Sequence, residues 1–213
     1  MKKRLKHIDI RFSVEIEVEF PTTDEDLYTI ESETNISGWY VGEDGSLDYG
    51  LEYKPKINNH LYLNDKTINQ IKTLCNNIKN VGGEALYSCG LHVHVDITNF
   101  TKKEICNIVK NFMDKQEMYA KKFNTRPDRL DCYCQFFPND ICNMNKIKEM
   151  VEYNDRDIYI ENEPHNKHHF ILDTNIYRHN TLEFRLFNGT LNYKKIIKYV
   201  RWAIDFTLKM RSD

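Results

Sequence analysis

The sequence predicts an α+β protein, a mainly antiparallel sheet with helices packed on one face. Three observations lead there. Several short stretches alternate apolar and polar residues with the period of two that marks a half-buried strand. Others repeat apolar residues at helical spacing, and the two kinds are intermixed along the chain. A Gly-Glu-Asp-Gly turn at 42–45 further suggests a hairpin.

The elements follow in order. Across residues 8–20, Phe12, Val14, Ile16, Val18 and Phe20 alternate with polar neighbours, and Pro21 ends the strand. Residues 21–37 read as a loop. Gly38-Trp39-Tyr40-Val41 precedes the turn, and a short strand runs through Leu51–Lys54 until Pro55 stops it. Ile68, Ile71, Leu74, Cys75 and Ile78 mark a helix over 65–80, with Gly82-Gly83 as its stop. Leu91 to Ile97 alternates again. Thr101-Lys-Lys-Glu104 is a capping box for a helix that presents Ile105, Ile108, Val109 and Phe112 on one face. Residues 124–180 carry little pattern beyond a short helix at 145–153 and a polar, His-rich loop at 161–169. Leu182 to Phe187 is a strand, and Ile197, Val200, Ile204 and Leu208 mark a closing helix that starts at Tyr193. No repeat, low-complexity tract or linker divides the chain, so a single domain over 1–213 is expected.

Composition narrows the function. With 213 residues, 40% of them hydrophobic and 12% aromatic, the chain can bury a core, which excludes disorder as a description of the whole. Thirty Lys+Arg against thirty-two Asp+Glu leave a net charge of -2, so no global field recruits nucleic acid or an anionic membrane. Mean hydropathy is -0.65, and no apolar run approaches the roughly 20 residues that span a bilayer. The basic start, Met1 to Lys6, leads into a charged strand rather than an apolar signal segment, so a cytoplasmic protein is expected. The six cysteines are expected to be reduced. Cys75 and Cys106 fall on apolar helix faces, and Cys132-Tyr-Cys134 lacks the spacing and the second pair of a structural zinc site.

Chemistry concentrates on three strands. Glu15, Glu17 and Glu19 share one face of the first strand. Such a stripe is often a solvated face, yet neighbouring carboxylates repel one another and a divalent cation would remove that cost. In Cys89-Gly-Leu-His-Val-His-Val-Asp96, His92, His94 and Asp96 point opposite to Leu91, Val93, Val95 and Ile97. Two imidazoles and a carboxylate in a row form a ligand set for a metal or a phosphate. The third strand puts Thr181, Glu183 and Arg185 together. That pair is either a cross-face ion pair or a carboxylate ligand beside a guanidinium that clamps phosphate. A carboxylate-rich site with one or two imidazoles suits magnesium or manganese, and metal plus guanidinium is the equipment of phosphoryl transfer. The absence of Gly-x-x-x-x-Gly-Lys-Ser/Thr excludes a P-loop enzyme.

Taken in order, Val14-Glu-Ile-Glu17, Glu43-Asp-Gly-Ser-Leu47, Leu51-Glu-Tyr-Lys-Pro55, Cys89 to Asp96 and Leu182-Glu-Phe-Arg-Leu-Phe-Asn-Gly-Thr-Leu191 resemble the amidoligase family. These are carboxylate–amine ligases related to glutamine synthetase and glutamate–cysteine ligase, and the resemblance spans roughly residues 12–205. It implies a glutamine-synthetase-like catalytic domain with a curved sheet, ATP, and magnesium or manganese. Glu15 and Glu17 match the family's first-strand metal pair. Glu52 matches its next acidic ligand, although here Tyr-Lys-Pro replaces the family's Ser-Pro. His92 matches the metal-binding histidine and His94 its nucleotide-facing partner. Glu183 and Arg185 match the late metal ligand and the phosphate-binding arginine, and Arg126 or Arg129 a further arginine. The implied reaction activates a carboxylate with ATP, giving an acyl phosphate that an amine attacks. Asp44 and Asp96 are both candidates to take the amine's proton. The substrates would be small-molecule or peptide carboxylates and amines.

Two other readings stand beside the ligase. One is a zinc hydrolase that uses His92, His94 and Asp96 to activate water. The other is a non-catalytic binding module on the same fold.

Overall fold

The structure is a computed structural model that describes residues 9–21, 26–56, 61–139, 141–153, 170–173 and 180–211. In chain order the elements are β1 (Arg11–Glu19), α1 (Leu27–Thr34), β2 (Trp39–Glu43), β3 (Gly50–Pro55) and β4 (Leu61–Tyr62). There follow α2 (Asp65–Asn80), β5 (Gly90–Asp96), α3 (Lys102–Met113), α4 (Gln116–Phe123) and α5 (Pro127–Cys132). The last are α6 (Met144–Tyr153), β6 (Leu172–Asp173), β7 (Thr181–Asn188) and α7 (Tyr193–Met210). The fold is thus α+β, and the β1–β3, β1–β4, β2–β3 and β6–β7 pairs are antiparallel.

Two compact units form. The first draws on Met1–Val93 and Phe187–Trp202, the second on His94–Leu186 and Ala203–Asp213. β5, β7 and α7 each contribute residues to both.

In the first unit the strand order is β2-β3-β1-β5, with β4 also on β1. Phe12, Val14, Ile16 and Val18 are fully buried, as their alternation requires. α1 touches α2, β2 and β3. Its Thr34 hydroxyl hydrogen-bonds the Tyr53 hydroxyl at 2.8 Å, which satisfies two polar groups that would otherwise be buried at a cost. α2 begins at an Asn64 cap and buries Ile71, Leu74, Cys75 and Ile78. Gly82, at φ 82°, ends it in a conformation that side chains disfavour. Phe187 stacks on Tyr199 at 4.3 Å.

In the second unit the order is β5-β7-β6. The capping box opens α3 as its sequence dictates, with Thr101 and Glu104 satisfying each other's backbone. Phe112, Tyr119, Phe184 and Phe206 form an aromatic cluster with centroids 5.4–5.9 Å apart.

The fold corrects the sequence reading in one place and adds to it in another. Within the stretch 21–37, read as a loop, α1 forms behind an Asp26 cap whose carboxylate accepts from Thr29 N at 2.8 Å. Eight residues with one buried apolar residue, Ile30, give too short a period to read. α4 and α5 lie where the pattern was faint; α5 spans six residues with Pro127 at its first position. Among the described residues no helix is long and apolar enough to cross a membrane. None of the six cysteines, all of them described, forms a disulfide.

Candidate functional site

In the first unit, β1 and β3 pair so that Glu17 stands opposite Glu52. Directly opposed residues share a sheet face, and so do residues two apart on one strand. Glu15, Glu17 and Glu19 therefore lie on the face that carries Glu52 and Lys54. This is not a solvated stripe: Glu17 and Glu19 are 5% and 9% exposed.

The start of β5 ties the carboxylates down. Ser88 Oγ donates to Glu19, and Gly90 N donates to Glu17. His92, buried, puts Nδ1 3.0 Å from Glu15 Oε2 and Nε2 3.3 Å from Glu17 Oε1. One imidazole thus bridges two carboxylates.

The electrostatics show how crowded this face is with negative charge. Burial, and next the charge of Glu15, push the Glu52 carboxyl up to about 7, against a hydrogen bond from Lys54 and the charges of Lys54 and His92. Burial alone would lower Lys54. The hydrogen bond and charge of Glu52, with the charge of Glu15, more than reverse that and raise it. Glu15, Glu17, Glu52 and His92 are three carboxylates and one imidazole, residue types that a hard divalent cation such as magnesium or manganese accepts as ligands.

In the second unit, Glu183 and Arg185 of β7 form an ion pair. Arg185 Nε also donates to Tyr133 O at 3.4 Å. Arg129, 1% exposed, sends Nη2 to Arg185 O at 3.2 Å. The structure thus brings Arg129 beside Arg185, while Arg126 stands just ahead of α5. Burial pushes the Cys134 thiol up, opposed by the charges of Arg129 and Arg185. His94 Nδ1 lies 3.3 Å from Thr181 Oγ1.

Of the two proton-acceptor candidates, Asp44 sits in a turn and Asp96 ends β5. Asp44 accepts from Ser46 N and Oγ at 2.8 and 2.7 Å in the β2–β3 connection. Asp96 accepts from Thr98 N at 2.8 Å and from its hydroxyl, closing the end of β5. Of the zinc set, His92 contacts Glu15 and Glu17, His94 contacts Thr181, and Asp96 contacts Thr98. The His-rich loop at 161–169 lies outside the described residues.

Sequence reasoning passed over Lys54 and Ser88. Lys54 had a legible signal, because two residues after Glu52 on a strand means the same face.

Carboxylates, imidazoles and one guanidinium are thus carried on strands of an α+β fold. The chain belongs to the amidoligase family: the family model described as "Putative amidoligase enzyme" matches residues 24–207. Glu52, His92, His94, Glu183 and Arg185 lie inside that match. Glu15 and Glu17 lie before it and join the candidate site through their contacts with His92. No curated protein matches the chain.

Proposed function

We propose that the chain is an ATP- and magnesium-dependent carboxylate–amine ligase with a glutamine-synthetase-like sheet, forming an amide or isopeptide bond. The observation that carries this reading is the Glu15–His92–Glu17 bridge beside Glu52, in a chain of this family. A carboxylate is a poor electrophile with a poor leaving group; ATP supplies the phosphoryl group that corrects both, as an acyl phosphate.

The chain's own residues then have defined work. Glu15, Glu17, Glu52 and His92 would hold magnesium in the first unit, and Glu183 is a further carboxylate available to a metal in the second. Arg185, oriented by Glu183 and Tyr133 O, presents a guanidinium to phosphate oxygens, where preorganised positive charge lowers the barrier. Arg129, buried, adds a second positive charge, and His94 and Arg126 serve the nucleotide. Asp44 or Asp96 takes the proton that the attacking amine loses.

The test is calorimetric titration of ATP into metal-stripped protein, with and without magnesium. Magnesium-dependent binding is expected, and His92→Ala and Glu183→Ala are expected to lose it while melting as folded proteins. Absence of binding at millimolar ATP with magnesium present would overturn the reading.

A further inference from the structure

Lys54 is a residue type that a cation site does not want. Its Nζ pairs with Glu52, on the face that holds Glu15 and Glu17. β2 supplies the other half of its seat: Tyr40 stands opposite Lys54 in the register, and Nζ lies 5.7 Å from the Tyr40 ring centroid. Lys54 is half-buried, and Tyr40 is 51% exposed. The ammonium therefore rests between a carboxylate and an aromatic face at the open side of the cluster. It has room to leave.

We propose that Lys54 is a built-in placeholder for a divalent cation: its ammonium neutralises Glu52 while the site is empty, and an incoming metal must displace it. The inference rests on the metal-binding part of the proposed function. Two cations cannot share one carboxylate at contact distance without strong repulsion, so each favourable contact of Lys54 with Glu52 subtracts from metal affinity. Displacement on a four-carbon stem is cheap, because the aliphatic chain can swing its head toward water. The placeholder sets a threshold. At low metal the Lys54 ammonium offsets the charge of Glu52 and eases its repulsion with Glu15. Above the threshold the metal takes Glu52, and the released ammonium is available to an anion.

The test is titration with manganese alone, followed by the loss of the free-ion electron spin resonance signal at pH 8.5. Lys54→Met, which keeps the stem and removes the charge, is expected to tighten manganese binding at least ~5-fold, whereas Lys54→Arg stays within about 2-fold of wild type. A double-mutant cycle assigns the effect to the pair: in a Glu52→Gln background, Lys54→Met is expected to change affinity less than about 2-fold. Weaker or unchanged binding in Lys54→Met, against measurable binding in wild type, would overturn the placeholder and leave the metal site standing. No manganese binding by wild type would overturn both. Should Lys54→Met fail to fold, Lys54→Gln carries the same expectation.

Discussion

At the scale of single residues, Glu52 makes the sharpest statement about the site. Its carboxyl is pushed up to about 7 by burial and by the neighbouring Glu15 charge, above its ordinary 4.5. A carboxyl with a raised folded value holds its proton more tightly in the folded chain. Its stabilising contribution is complete below about 4.5, fades as pH rises and is lost above about 7. Metal-free wild type is therefore expected to lose about 1–3 kcal/mol more stability than Glu52→Gln between pH 5 and 8. Urea denaturation at several pH values measures this, and parallel curves for the two proteins would refute the assignment. The thiols offer an independent check. Burial holds Cys75 and Cys89 up at about 12 and about 11, whereas Cys132 is exposed. A thiol reagent at pH 8 is expected to label Cys132 in the native protein and to reach Cys75 and Cys89 only on unfolding, read by peptide mass. Prompt labelling of either buried thiol would contradict the packing.

At the scale of elements, the site depends on strand register, because a slip of one residue turns a carboxylate face over. Gly50 guards that register. It pairs with Glu19 at the end of β1, and a Cβ there would sit 2.5 Å from Val18 O, a backbone atom that cannot step aside. Gly50→Ala is expected to cost about 2–3 kcal/mol by thermal melting and to weaken manganese binding. A neutral result would show that β1 and β3 tolerate separation. How much of this was legible follows from the same geometry. β1, α2, α3 and α7 were readable because each carries a long, regular apolar period, and the first three a capping or stop signal as well. The pairing of Glu17 with Glu52 was not, since which strands meet depends on contacts between residues 35 apart in sequence. The carboxylates and histidines showed themselves by alternation. That they are buried did not show, because an Ile-Glu-Val-Glu pattern describes a wet face equally well. α1 and α5 were missed because six to eight residues complete about two turns, too few for a period to emerge.

For the whole molecule, ligand and fold are linked by mass action, which offers a test independent of any knowledge of the acceptor substrates. A ligand that binds only the folded chain stabilises it by RT ln(1 + [L]/Kd), about 2.7 kcal/mol at one hundred times Kd. A chain of this length shifts its melting temperature by roughly 2–4 °C per kcal/mol. ATP with magnesium, each saturating, is therefore expected to raise Tm by about 5–10 °C, magnesium alone by less, and ATP with a chelator by about zero. The ordering matters more than the size. If the Glu15, Glu17, Glu52 and His92 carboxylates and imidazole hold the cation that neutralises the nucleotide's phosphates, ATP without it meets a face of like charge and is repelled. His92→Ala leaves the carboxylates but removes the group that bridges Glu15 and Glu17, and is expected to abolish the shift. Gly45→Ala, in the β2–β3 turn with open space around its Cβ position, is the matched control and is expected to keep it. An equal shift from ATP with chelator present would place nucleotide binding on the arginines of the second unit alone and remove the carboxylate cluster from it.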